Sequence, residues 1–320
     1  MNTDYILFVH GVNTREVREQ PQYADPLFER LQELNSKRDR NLKKLALYWG
    51  DVNIEAETLL LNQLQASPLW QQIWLREFRE QQILQFAGDA ALYISRHIGS
   101  RVVNKLKTTA ADAIANPDSS DRLHLVTHSW GTVILFDVLF AARWDNPKVP
   151  GHQDVMAIRD GIFGISSRDS NTFQKGIQLA SIHTMGSPIA IFTLTDVVPG
   201  KDGTDSPSSH DITPNLQKLL ENLHAARLGE KLPWINYIHP GDPLAYPVKE
   251  LMTGLAGDNA KYLDIQDLIT HEAGLFDFLT EPFSQTALAL LHGGNAHGSY
   301  WHSEKVAEEI SSVLKPRVSH

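Results

Sequence analysis

The stretch Val126-Thr127-His128-Ser129-Trp130-Gly131-Thr132 sets a serine between one apolar run, Leu123 to Thr127, and another that starts at Thr132. A serine in a sharp turn between a buried strand and a buried helix has its hydroxyl held above the carboxyl ends of the strands. The backbone N–H of the next residue, Trp130, then lies at the helix N-terminus, where it can stabilise an oxyanion. Gly131, two places beyond the serine, lets strand and helix approach closely. The chemistry that such a turn serves is nucleophilic attack on a carbonyl. A bland reading competes, in which Ser129 only caps the helix.

A serine nucleophile needs a base, and the base needs a group that orients it. Asp242 stands in His239-Pro240-Gly241-Asp242-Pro243-Leu244, directly after the apolar run Trp234 to Ile238, a setting that puts it at a strand's carboxyl end. Asp196, Asp258 and Asp264 compete without that strand-then-turn setting. The plain role for Asp242 is a turn aspartate that bonds its own backbone. Among fourteen histidines, His292, His297 and His302 lie between the last apolar run and the terminal helix. Small neighbours let the His297 loop bend over a serine; His292 is the second choice, and His302 reads as structural.

The elements that must position these residues alternate. Tyr5 to Val9, Leu45 to Trp49, Leu123 to Thr127, Ile177 to Thr184 and Trp234 to Ile238 read as strands, with helices from about Pro26 to Ser36, Thr132 to Arg143, Asn215 to Arg227 and Ser303 to Leu314. Strands separated by helices predict an α/β fold with a doubly wound, mostly parallel sheet covered on both faces. Residues 52–116 break the alternation with about sixty residues of helical spacing, including Trp70, Ile73, Trp74 and Phe78. They read as an insertion in one domain spanning 1–320. Its aromatic stripe is either ordinary core or a cap whose Trp70, Trp74 and Phe78 face an apolar pocket. The segment Val197 to Thr213, rich in glycine, proline, serine and aspartate, reads as a loop.

Composition narrows the chemistry. The 320 residues include no cysteine, which excludes disulfides, thiolate metal sites and a cysteine nucleophile. Lysine plus arginine number 29 against 38 acidic residues, a net charge of −9 without a basic run, so nucleic acid is not an expected partner. There is no His-Glu-x-x-His, and His292, His297 and His302 do not share a helical face, so neither metal nor cofactor is expected. No apolar stretch reaches membrane-spanning length and no signal-peptide pattern opens the chain, so a soluble, unprocessed, cytoplasmic protein is expected.

Three motifs in order, spread over nearly the whole chain, resemble the α/β-hydrolase superfamily, and within it the lipase-like serine esterases. They are His10-Gly11-Val12-Asn13 after the first strand, the Ser129 turn, and an acid followed by a histidine after later strands. His-Gly also occurs at His292 and His297, but only His10 follows a clean apolar strand. Asp242-Pro243 resembles the family's Asp-Pro element, and His297-Gly298-Ser299-Tyr300-Trp301 its His-x-x-Tyr-Trp element. Thr127 departs from the usual glycine at the start of the elbow, although some relatives carry alanine or threonine there.

The resemblance implies an α/β-hydrolase fold, a Ser129–His297–Asp242 triad, and an oxyanion hole of Val12 and Trp130 N–H groups. His10 and Gly11 would border the substrate pocket. The expected activity is cleavage of a small-molecule or lipid-like carboxylic ester through an acyl-enzyme. A thioesterase, amidase or acyltransferase with the same residues, or an inactive hydrolase-fold scaffold, are the alternatives.

Overall fold

A computed structural model describes residues 2–12, 21–52, 54–76, 80, 96–114, 117–163, 177–192, 216–270 and 296–315. Among them six strands form one all-parallel sheet: β1 (Thr3–Val9), β2 (Asn41–Leu47), β3 (Arg122–His128), β4 (Gln178–Met185), β5 (Leu232–Ile238) and β6 (Leu263–Ile269), ordered β2-β1-β3-β4-β5-β6. Helices intervene as α1 (Asp25–Leu34), α2 (Ile54–Gln65), α3 (Arg96–Ala113), α4 (Trp130–Phe140), α5 (His152–Phe163), α6 (Ile189–Phe192), α7 (Leu216–Ala226), α8 (Lys249–Ala256) and α9 (Glu304–Leu314). The protein is thus an α/β fold. None of the described helices is long and apolar enough to cross a membrane.

Side chains on a strand alternate faces, and here both faces are covered. Leu7, Val9, Leu123 and Leu125 join α3, α4, α5 and α7 in one core; Ile6, Phe8 and Val126 join α1 and α9 in the other. Helix α4 is buried all the way round from Gly131 to Phe140, as its unbroken apolar sequence requires. Helix α3 packs on β2 and α5 and sends Val102, Val103 and Leu106 into the first core. The end of the 52–116 block is therefore a sheet-covering helix. Its beginning differs: α2 buries no residue.

Two elements depart from the sequence reading because they lie at the sheet's edges. β2 runs from Asn41 rather than Leu45, with Lys43 and Lys44 inside it, and β6 goes unread because Asp264, Gln266 and Asp267 interrupt its apolar residues. Edge strands bury only part of their length and lose the apolar run that marks a central strand.

A chain of buried polar side chains crosses the second face. Asp4 accepts from Arg40 Nε at 2.9 Å and Arg122 Nε at 2.8 Å, and His124 Nε2 stands 3.9 Å away. His124 Nδ1 meets Ser181 Oγ at 2.7 Å, Ser181 meets His183 Nε2 at 2.8 Å, and His183 Nδ1 meets the Tyr237 hydroxyl at 3.0 Å. The proton assignment that turns an N–H towards Asp4 has Tyr237 donating to His183, His183 to Ser181 and Ser181 to His124.

The strand order sets where a ligand belongs. From β1 the chain moves to β2 on one side, then returns to β3 on the other, so the order reverses between β1 and β3. In open α/β sheets the crevice beyond the carboxyl ends of the strands at such a reversal is where ligands bind.

Candidate active site

Ser129 stands in that crevice, between the last residue of β3 and the first of α4. Its φ of 53° and ψ of −128° lie where side chains are rarely found, at a cost of about 1–3 kcal/mol. The surroundings hold it there. Ser129 N–H donates to Met185 O at 2.9 Å, while the Thr132 N–H and hydroxyl both donate to Ser129 O, at 2.9 and 2.7 Å.

Two glycines let the chain close around the turn. A Cβ on Gly131 would stand 2.5 Å from Val9 O, and one on Gly11 would stand 2.5 Å from Ser129 Cβ, so neither position admits a side chain. Ser129 does not cap α4: its side chain makes no capping bond, and its Oγ is enclosed without a hydrogen-bond partner. Trp130 is the first residue of α4, which puts its N–H at the helix N-terminus.

An acid–base pair meets beside this turn. His297 Nδ1–H donates to Asp242 Oδ2 at 2.8 Å, and the Tyr300 hydroxyl donates to the same oxygen at 2.8 Å. Leu244 N–H fills Asp242 Oδ1 at 3.0 Å, and His239 N–H donates to the Tyr300 oxygen at 2.8 Å. Burial opposes ionisation of Asp242, but the bond and charge of His297, then the Leu244 N–H and Tyr300, outweigh it and hold the carboxyl below its usual range. With Nδ1 committed to Asp242, His297 turns Nε2 to other duties. Gly186, the residue after the Met185 that holds Ser129 N–H, has a φ of 58°; a Cβ there would lie 2.7 Å from Asp242 Oδ2 and 3.1 Å from His297 Cε1. This short connection brings the pair to the serine's side.

His10 supports the loop after β1 from behind. Its ring is 1% exposed and lies stacked on Trp49, whose backbone N–H donates to Nε2 at 3.1 Å. An accepting Nε2 puts the proton on Nδ1, which donates to Gly11 O at 2.6 Å. The Gly11–Val12 peptide is trans, so Val12 N–H points away from the His10 ring. His10 is thus packed firmly under the loop after β1, as buried as Ser129 itself.

Of the residues singled out by sequence, Ser129, Trp130, Gly11, Asp242 and His297 come together. Asp258 is exposed in the 3-10 helix Gly257–Tyr262 and Asp264 is the second residue of β6; the carboxylate bonded to His297 is that of Asp242. Trp70 is buried and donates to Glu80 Oε1 at 3.2 Å, whereas Trp74 is 86% exposed. Phe78, Asp196 and His292, and the loop Val197 to Thr213, lie outside the described residues. Gly186 and the anchoring role of Tyr300 were missed; the Met-Gly-Ser-Pro that ends β4 was visible but carried no sign of facing Asp242. No group of residues able to hold a metal ion occurs among the described residues.

Comparison with family models and with curated proteins finds no match to this chain.

Proposed function

We propose that the protein is an α/β-hydrolase-type serine esterase, with Ser129 as nucleophile, His297 as base and Asp242 as the group that orients it. One observation carries the reading: an enclosed, unbonded Ser129 hydroxyl on a positive-φ elbow, with a bonded His297–Asp242 pair beside it. His297 Nε2 takes the Ser129 proton as Oγ attacks the ester carbonyl, and Asp242 stabilises the imidazolium that results. The same proton passes to the leaving alkoxide, and water then repeats the sequence on the acyl-enzyme to release the acid. Trp130 and Val12 N–H groups receive the oxyanion, each worth about 3–4 kcal/mol in sites of this kind.

The test is labelling with a fluorophosphonate and turnover of p-nitrophenyl butyrate. Folded wild-type protein is expected to be labelled at Ser129 and to release p-nitrophenol. Absence of labelling in folded protein would sink the proposal.

A further inference from the structure

We infer that His128 is a positioning residue that ties the base to the nucleophile: its Nε2–H, donated to the main-chain carbonyl of His297, fixes where the His297 imidazole stands relative to Ser129. The inference rests on the triad proposed above.

His128 ends β3, one residue before Ser129, and Nε2 meets His297 O at 2.6 Å. A carbonyl only accepts, so Nε2 carries the proton. The His128 ring also packs on three residues of the base loop: centroids lie 4.5 Å from His297, 5.8 Å from Tyr300 and 5.5 Å from Trp301. Burial, and then the charge of His297, pushes the His128 pKa down to about 3, although the bond to His297 O and the charge of Asp242 oppose this. The ring is therefore a neutral, fixed donor wherever a neutral-pH hydrolase works. A charged ring 4.5 Å from His297 would oppose the imidazolium that catalysis requires.

The anchor is needed because the His297–Asp242 bond fixes a distance and not a direction. Rotation about that bond swings Nε2, the atom that must reach Ser129 Oγ. Gly186 walls the imidazole on one side, with room for no Cβ between them, and the His128 ring packs against it too. Holding the His297 main chain as well removes the remaining swing. Nucleophile and base are thus both referred to the last turn of one central strand.

Three substitutions separate this role from simple packing. His128→Gln keeps an N–H where Nε2 stands, His128→Asn stops short of the carbonyl, and His128→Leu keeps volume without a donor. With p-nitrophenyl butyrate, Asn and Leu are expected to lower kcat by about 10- to 100-fold with KM within about twofold, and Gln to recover to within about threefold of wild type. The acidic limb of the kcat/KM profile moves to lower pH in His128→Asn, because a loosened Asp242 stabilises the imidazolium less. In the proton NMR spectrum, the low-field Nδ1–H resonance of His297 persists in wild type and His128→Gln and broadens in His128→Asn. Asn and Leu proteins that fold and keep wild-type kcat and this resonance would overturn the inference, as would a Gln protein as impaired as Asn. Wild-type protein without labelling or turnover defeats the triad instead, and the resonance comparison still decides whether His128 holds His297.

Discussion

Two sets of aspartate, histidine and serine stand on this sheet, and they have opposite surroundings. Asp4, His124 and Ser181 sit within β1, β3 and β4, where arginines hold Asp4 and Ser181 has a histidine nitrogen on either side. Asp242, His297 and Ser129 sit beyond the strand ends, where the serine oxygen has no partner and its backbone is strained. Residue types alone do not make a nucleophile. A hydroxyl inside a pleated sheet spends its proton and lone pairs on neighbours, whereas one on an elbow at the reversal of strand order keeps them for a substrate.

The sharpest way to break this comparison is to remove each serine in turn. Ser129→Ala is expected to lower ester turnover by about 10⁴-fold or more. Ser181→Ala should leave kcat within about threefold while unfolding in urea reports a loss of about 1–3 kcal/mol from the histidine nitrogens left unpaired. Equal losses of activity would mean that the ladder serves the chemistry.

Gly186→Ala probes the difference in crowding. A methyl group 2.7 Å from Asp242 Oδ2, at a φ of 58°, displaces the acid–base pair, and kcat is expected to fall about 10²-fold with the far-ultraviolet spectrum unchanged.

Another difference is read in stability against pH, without any effect on turnover at neutral pH. Burial pushes both His128 and His183 down to about 3 from an ordinary 6.5, with the charges of His297 and His124 adding to it. The unfolded chain therefore binds protons that the folded chain refuses. Stability is full above about pH 6.5 and falls towards pH 3, by about 1.4 kcal/mol per pH unit for each histidine. Urea midpoints from pH 7 to 5 measure the slope, and His183→Gln should flatten it; an unchanged slope would mean that the ladder histidine is not held neutral.

The elbow was legible in sequence because its demands are local: an apolar strand, a serine, a glycine two residues on, and an apolar helix. Asp242 was legible for the same reason, as a polar turn directly after β5. Helix α5 was not, since the charged Arg159 stands among its buried residues, satisfied by Val138 O and Ala141 O at the end of α4. The contact of His10 with Trp49, 39 residues away, could not be read from sequence either. The anchoring of His297 by His128 spans 169 residues. Spacing reveals faces of single elements; partners brought together by closing a sheet leave no periodic trace.

The proposed base stands in residues 296–302, between β6 and α9, while the elbow is held by the ends of β1, β3 and β4 and the start of α4, Met185 O of β4 accepting from Ser129 N–H. During synthesis the strained serine turn can therefore be assembled while the histidine that would activate it is still untranslated. Bringing the two together means closing a loop of well over a hundred residues, among the slower steps of folding a parallel sheet. On the triad proposed above, the elbow stays without its base until residues 296–302 have been made and brought back to the end of β3.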